Sequence, residues 1–223
     1  RPKGVMIEHR AALNTVVDIN ERLRLSPDDR VFGISSLAFD LSVWDVFGTL
    51  AAGAALVIPD PTDLPDPIAW SATARRHGVT VWNSVPALAE MIVEVAEERP
   101  ELGHAPIRAF LLSGDWVPTT LPDRMRRRRS DVRVIAMGGA TEASIWSNIY
   151  EVGETDPAWR SVPYGRPLTN QTMTVLDHRL DIRQPWAVGY IHIGGAGLAR
   201  GYWQDEERTA ERFITHPRTG ERL

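Results

Sequence analysis

The sequence predicts an α/β fold: a mainly parallel sheet flanked by helices, followed by a smaller β-rich section. Two observations predict it. Short apolar runs alternate with helical periodicities up to about residue 147, and strands joined by helical crossovers pair in parallel. Beyond that point the rhythm changes to apolar runs among Gly and Pro turns. The expected division is therefore an α/β core over 1–147 and a β-rich section over 148–223.

Each element has its own signal. Leu13, Val16, Val17, Asn20 and Leu23 recur at near-helical spacing, and Ser26-Pro27-Asp28-Asp29 ends that helix. Val31 to Ser35 reads as a strand, and a helix from about Ser42 is stopped by Gly53. Ala55 to Ile58 is the next strand; the proline-rich segment Asp60 to Pro67 is a loop. Asp66-Pro67 opens a helix that Gly78 closes. Val79 to Trp82, Ala109 to Leu112 and Val132 to Met137 read as strands, with helices at Pro86 to about Glu98 and Leu121 to Arg129 between them. The run Arg126 to Arg129 is expected to be a solvated helix end. In the later section Thr172 to Leu176 and Tyr190 to Ile193 read as strands, and Asp205 to Phe213 as a short helix. No internal repeat is visible.

Composition narrows the function. Hydrophobic residues are 43% and charged residues 24% of the 223, which excludes disorder and a fibrous class. A net charge of −4 implies no basic face for nucleic acid. The absence of cysteine excludes disulfides, thiolate metal sites and a cysteine nucleophile. No apolar run reaches the roughly 18 residues of a membrane span, and Arg1-Pro2-Lys3-Gly4 is not followed by the apolar stretch of a signal peptide. A cytoplasmic setting, with no membrane partner, is expected. Lys3 is the only lysine; every other basic residue is arginine. The histidines show no metal-ligand spacing.

In an open parallel sheet, ligands bind beyond the carboxyl ends of the strands. The segments after successive strands are Phe39-Asp40-Leu41-Ser42, Asn83-Ser84, Ser113-Gly114-Asp115 and Gly138-Gly139-Ala140-Thr141-Glu142. All are small, polar or glycine-bearing, and a parallel sheet would bring them to one edge. Asp40 and Ser42 also suit a helix cap, and the glycine pair a turn. Such a set suits nucleotide chemistry. Gly138 and Gly139 allow close backbone approach, Thr141 offers a hydroxyl and an amide to a phosphate, and Glu142 a hard oxygen for Mg2+. There is no Gly-x-x-x-x-Gly-Lys-Ser/Thr phosphate loop, and Gly194-Gly195-Ala196-Gly197 lacks the context of a dinucleotide fingerprint.

In order, these segments resemble the adenylation domains of nonribosomal peptide synthetases, in the acyl-adenylate-forming superfamily, over essentially the whole chain. Phe39-Asp40-Leu41-Ser42 is similar to that family's Phe-Asp-x-Ser motif, and Gly139-Ala140-Thr141-Glu142 to its Gly-Pro-Thr-Glu motif. Gly194 through Tyr202 resembles its long glycine-rich motif, and Pro2-Lys3-Gly4 the tail of its phosphate loop. The resemblance implies the large N-terminal subdomain of an adenylate-forming enzyme, with the β-rich section as a distorted barrel. It implies an internal fragment, inactive alone, because the family's Tyr-Arg-Thr-Gly-Asp motif and C-terminal catalytic lysine do not occur in it. Gly138 stands where the family usually has an aromatic residue against adenine, so Gly114 and Gly138 would hold the base through backbone.

The implied reaction is ATP-dependent activation of an amino acid as aminoacyl-AMP and its transfer to a phosphopantetheine thiol on a peptidyl carrier domain, with Mg2+. Asp40 would pair with the substrate ammonium. The family's pocket positions fall on Asp40, Leu41, Trp44, Asn83, Leu111, Ser113, Met137, Ile145 and Trp146, a string close to the one associated with cysteine. Asn83 and Ser113 also suit serine or threonine. Lys3, Gly139 and Thr141 would attend the nucleotide and Glu142 the metal. A heterocyclisation or condensation domain would be a neighbour. Two alternatives stand: a ligase joining a simple carboxylic acid to coenzyme A, which leaves Asp40 no ammonium to pair, and a non-catalytic adenylation-like scaffold, which Gly138 and Tyr190 favour.

Overall fold

The computed structural model describes residues 3–63 and 65–223. Pro2 of the Pro2-Lys3-Gly4 motif and Leu64 of the proline-rich loop lie outside the described residues. The elements are α1 (His9–Leu23), β1 (Arg30–Phe32), α2 (Leu41–Val43), a π-helical stretch (Trp44–Gly48), α3 (Thr49–Ala51), β2 (Ala55–Val57), α4 (Pro67–Arg76), β3 (Val81–Ser84), α5 (Pro86–Glu98), β4 (Ala109–Leu112), α6 (Leu121–Arg126), β5 (Arg133–Gly138), β6 (Asn148–Glu151), β7 (Arg166–Pro167), β8 (Gln171–Leu176), β9 (Tyr190–Gly195) and α7 (Glu206–Arg212). They form two compact units. Unit 1 takes the N-terminal residues to Asp18, Gly139–Asn148 and Arg166–Leu223; unit 2 takes Ile19–Gly138 and Ile149–Gly165. The units interleave along the chain rather than meeting at one cut.

Unit 2 carries a sheet in the order β2-β1-β3-β4-β5-β6. Every pairing from β2 across to β5 is parallel. Strand residues alternate between two faces. On one face Phe32, Trp82, Phe110, Leu112, Val134 and Ala136 join a buried apolar cluster. Phe32 stacks on Trp82 with ring centroids 4.8 Å apart. Asn83, Leu111, Ile135 and Met137 alternate with these residues and so occupy the other face. Asp66 caps α4 by accepting from the amides of Ile68 and Ala69, with Pro67 at the first helical position. Arg124 joins α6 to α5 through Glu90 and Glu97, at 2.6 and 2.7 Å.

Several boundaries differ from the sequence expectation. β3 lies two residues later than Val79–Trp82, so Asn83 and Ser84 are strand residues rather than a loop. Gly138 closes β5, and Gly194 and Gly195 belong to β9. α6 ends at Arg126; Arg127 and Arg128 are exposed as expected, but Arg126 and Arg129 are not simply solvated. Arg126 donates to the Val152 and Gly153 carbonyls, and Arg129 to the Pro106 carbonyl and Asp131.

A partly buried ion pair ties the entry to β1. Asp29 accepts from Arg108 at 2.7 and 2.9 Å, from the Thr80 hydroxyl at 2.8 Å and from the Ser26 amide at 3.0 Å. Burial alone would raise the Asp29 carboxyl, but Arg108, Thr80 and Ser26 outweigh it and lower it to about 2. A depressed carboxylate stabilises the fold above its unfolded value near 3.8, and that contribution is lost as pH falls through about 2. Asp29→Asn is therefore expected to lose about 2–3 kcal/mol at pH 7. Urea melts across pH check this; a deficit that does not shrink in acid would rule it out.

Unit 1 pairs β8 with β9 antiparallel, from Gln171↔Gly195 to Leu176↔Tyr190. Isolated antiparallel bridges Val5↔Tyr202 and Thr215↔Arg222 lie outside that sheet. Among the described residues the β8–β9 pair is the small antiparallel sheet of the β-rich section that the sequence predicts. α7 is capped by Asp205, whose side chain accepts from the Arg208 amide.

Candidate functional site

The predicted site residues divide between the two units, and each set is coherent by itself. In unit 2, the parallel strands bring their carboxyl ends to one edge. A Cβ built on Gly114, after β4, would lie 3.2 Å from Val85 Cγ1, after β3, and 3.3 Å from Phe39 Cζ, after β1. The three loops therefore meet, as the sequence predicts. Below them, one face of the sheet carries Asn83, Leu111 and Met137. Asn83 and Leu111 are register partners, and Leu111 pairs with Ile135, two residues before Met137. Ser113 continues the same face and is buried.

The segment Leu41–Ala51 supplies the rest of this set. Its buried residues include Leu41, Trp44, Asp45 and Gly48, which fall at i, i+3, i+4 and i+7 on one stripe. A Cβ on Gly48 would lie 2.6 Å from Trp44 Nε1, so only glycine leaves room for the indole in this π-helical turn. Trp44 Nε1 donates to Asn20 Oδ1 at 3.1 Å. Asp40 precedes the helix but makes no side-chain cap hydrogen bond. Ser42 is buried and donates to the Phe39 carbonyl at 2.8 Å.

Asp45 is the residue that sequence reasoning missed. It is 2% exposed and accepts from Asn83 Nδ2 at 2.7 Å. Burial raises its carboxyl to about 7, against hydrogen bonds from Asn83 and Ser35 that favour the charged form. Its signal was its place in an otherwise apolar helical stripe.

In unit 1, Thr141 and Glu142 lie in a 3-10 turn, Thr141–Ala143, rather than at the start of a longer helix. The next residues are strained: Ser144 has φ 62° and Ile145 φ 75°, unusual above all for a β-branched side chain. Neighbouring groups hold that conformation. Ser144 Oγ donates to the Gly197 carbonyl at 2.7 Å, the Thr15 hydroxyl to the Ser144 carbonyl at 3.0 Å, and Gln171 Nε2 to the Trp146 carbonyl at 3.0 Å. A Cβ at Gly197 would lie 2.8 Å from the Ala143 carbonyl oxygen. The glycine-rich motif thus clamps the Thr-Glu turn. Gly139 has a similar use: a Cβ there would meet the backbone of Ile145, Trp146 and Ser147 at 2.8 Å. Close packing by itself explains that glycine. Ile145 and Trp146 are buried.

Glu142 stands at the centre of this set. It accepts from the Lys3 ammonium and from the Tyr202 hydroxyl, the latter at 2.6 Å. Burial would raise its carboxyl, but the Lys3 and Tyr202 hydrogen bonds outweigh it and lower it. The hydrogen bond to Glu142 raises Lys3 in turn. A cavity of about 620 Å3 in unit 1 is lined by Lys3, Glu142, His192, Tyr202, Arg208 and Arg212 among others. Its cations suit phosphate oxygens. No group of three or more His, Cys, Asp or Glu that could hold a metal occurs among the described residues. Glu142 therefore fits Mg2+ only in the manner usual for that ion, one carboxylate completed by phosphates and water. A second cavity, of about 270 Å3 in unit 2, is lined by Ile92, Phe110 and Met125 with Arg99, His104 and Arg128. It contains none of the predicted site residues.

The AMP-binding enzyme family matches residues 1–203. The chain is 48% identical to "Pyochelin synthetase PchF" of Pseudomonas aeruginosa over 222 residues, all of this chain and 12% of that protein. It is 45% identical to "Bacitracin synthase 1" of Bacillus licheniformis over 220 residues, 99% of this chain and 4% of that protein. It therefore spans a small part of these relatives. Among solved structures, the nonribosomal peptide synthetase FmoA3 in its AMPPNP-bound form is similar at 44% identity and a TM-score of 0.95, over 99% of this chain and 24% of that one. The same protein with α-methyl-L-serine-AMP bound gives 0.96 at 44% identity, over 100% and 25%.

Proposed function

We propose a reaction for a chain that belongs to the AMP-binding enzyme family: it is part of an adenylation domain that activates an amino acid, L-cysteine, for nonribosomal peptide synthesis. A carboxylate oxygen of the amino acid attacks the α-phosphorus of ATP, the bond from that phosphorus to the bridging oxygen breaks, and pyrophosphate leaves. The thiol of a carrier-bound phosphopantetheine then attacks the acyl carbon, AMP departs and the thiol proton is released.

The observation that carries the proposal is the unit 2 loop edge, where Phe39, Val85 and Gly114 meet beside Asp40. Asp40 immediately precedes its helix at that edge, and it would hold the substrate ammonium. Leu41, Trp44, Leu111 and Met137 would form an apolar wall, with Asn83 and Ser113 as its polar points. Ile145 and Trp146 are assigned to the pocket on the resemblance, as are Gly114, Gly138 and Gly139 to the nucleotide. Thr141, Lys3 and the arginines of the unit 1 cavity would hold phosphate oxygens by charge and hydrogen bonding, which is positioning and electrostatic work. Mg2+ on Glu142 would neutralise phosphate charge when bound. Support for an amino-acid substrate also comes from FmoA3, whose structure holds an aminoacyl-AMP. A carrier domain, a heterocyclisation neighbour, the 1–147 and 148–223 subdomain boundary and a cytoplasmic setting belong to the same reading. So does inactivity of these 223 residues alone, which include neither the Tyr-Arg-Thr-Gly-Asp string nor a second lysine.

The test is amino-acid-dependent ATP–pyrophosphate exchange by the full-length protein. Cysteine should exceed serine, threonine and valine. The margin over near-isosteres is expected to be about 1–3 kcal/mol, because a small apolar pocket discriminates no better. Serine or threonine outpacing cysteine would overturn the cysteine assignment, and no exchange with any amino acid would overturn the reaction.

A further inference from the structure

Asp45 and Asn83 form a buried polar pair that is only half satisfied. Asn83 is fully buried and Asp45 nearly so. Asn83 Nδ2 donates to Asp45 Oδ1 at 2.7 Å and Ser35 adds a hydrogen bond to the same carboxyl group, while Asn83 Oδ1 and Asp45 Oδ2 have no hydrogen-bond partner. Buried polar atoms without partners are uncommon, and each calls for a reason. A pair that served stability alone would be replaced at little cost by two apolar side chains of similar shape.

The geometry limits what this pair does. The Asp45 oxygen that faces Asn83 accepts, so it takes the NH2 end of the amide and turns the C=O end away. That end is an acceptor on the sheet face that also carries Leu111, Asn83's register partner. Leu41 and Trp44 are buried on the same helical stripe as Asp45. A free acceptor among apolar side chains favours a ligand group that carries a proton to donate. It disfavours an aliphatic group of the same size, which leaves the acceptor buried and unpaired.

We infer that Asp45 is a positioning residue that determines specificity. By holding the Asn83 amide in one orientation, it presents the Asn83 carbonyl to a substrate side chain bearing an S–H or O–H donor. The inference rests on the proposed reaction and assigns a role to a residue outside the nine pocket positions. Asp45 acts through Asn83 and does not touch the substrate.

The experiment compares L-cysteine with L-2-aminobutyrate, which has a methyl in place of the thiol, in pyrophosphate exchange by the full-length protein. The quantity read is the ratio of their kcat/KM values. Wild type should favour cysteine by about tenfold or more, because a site built to hydrogen-bond its substrate rejects the analogue that lacks the donor. Asp45→Leu should lower the ratio about tenfold, mainly by raising KM for cysteine. Asp45→Asn, whose amide oxygen still accepts from Asn83, should restore it to within about threefold of wild type. Asn83→Leu should lower the ratio as Asp45→Leu does, and the double Leu variant should lower it no further, since the two residues act as one unit.

If Asp45→Leu does not fold, as judged by thermal melting, Asp45→Ala takes its place with the same expectation. A wild-type ratio below about ten, a ratio unmoved by Asp45→Leu, or an equal fall in the Asn83→Leu background would each overturn the inference while leaving the proposed reaction standing. Wild type that exchanges no amino acid would remove both.

Discussion

Asp40→Ala is expected to abolish amino-acid activation while sparing ATP binding. The carboxylate precedes the helix Leu41–Ala51 without capping it. It stands beside Phe39, whose ring meets Gly114 where the loops after β1 and β4 come together. If it pairs with the substrate ammonium, its removal leaves a buried cation without a counter-charge. Breaking one side of such a pair costs about 3–5 kcal/mol, which is roughly a hundredfold to several-thousandfold in rate. The loss should appear in kcat/KM for the amino acid, measured by pyrophosphate exchange. Nucleotide affinity, measured with a non-hydrolysable ATP analogue, should stay within about threefold. On the proposed reading the nucleotide is held by other residues: Lys3, Gly139 and Thr141 in unit 1, and the backbone of Gly114 and Gly138 in unit 2, which the substitution leaves in place. Undiminished turnover in the mutant would show that Asp40 serves the fold alone. Equal losses of amino-acid and nucleotide binding would place it somewhere other than the ammonium subsite.

The sequence was most legible where one strong signal governed a segment. α5 runs Pro86–Glu98 and β4 Ala109–Leu112, as expected, because a proline at the first helical position and an unbroken apolar run leave few alternatives. β3 was displaced because Asn83 and Ser84 look like loop residues. They are buried strand residues: Asn83 donates to Asp45, and the Ser84 hydroxyl accepts from the Trp82 indole and donates to the Val85 carbonyl. β6 went unseen because Asn148–Glu151 is short and half polar. The convergence of the loops after β1, β3 and β4 was legible, since it follows from parallel strands alone. The strain at Ser144 and Ile145 was not: it depends on Thr15, Gln171 and Gly197, which lie far away in the chain. Asp45 was hidden for a related reason. A carboxylate on a helix reads as a solvent-facing residue until a buried partner is placed beside it.

That buried carboxylate gives the protein an unusual dependence of stability on pH. The Asp45 carboxyl is raised by burial from its ordinary value near 3.8 to about 7. The folded state therefore holds a proton that the unfolded chain releases. The favourable contribution is fully present below about 3.8, declines as pH rises, and is gone once pH passes about 7. Asp45→Asn removes the titration while keeping an oxygen that accepts from Asn83. The variant should match wild type near pH 4 and become progressively more stable than wild type above it. The gap should approach an upper bound on the order of 4 kcal/mol by pH 8. Denaturant melts of the full-length protein at pH 4, 6 and 8 measure it. Asp29 does not interfere, because its own contribution changes only below about 3.8 and with the opposite sign. A gap of the same size at pH 4 and pH 8 would show that the Asp45 carboxyl is not raised, and that solvent reaches the oxygen left without a partner. A gap that widens with pH would mean that Asp45 is retained at a cost to stability near neutral pH, as expected of a residue kept for what its pairing with Asn83 does in the site.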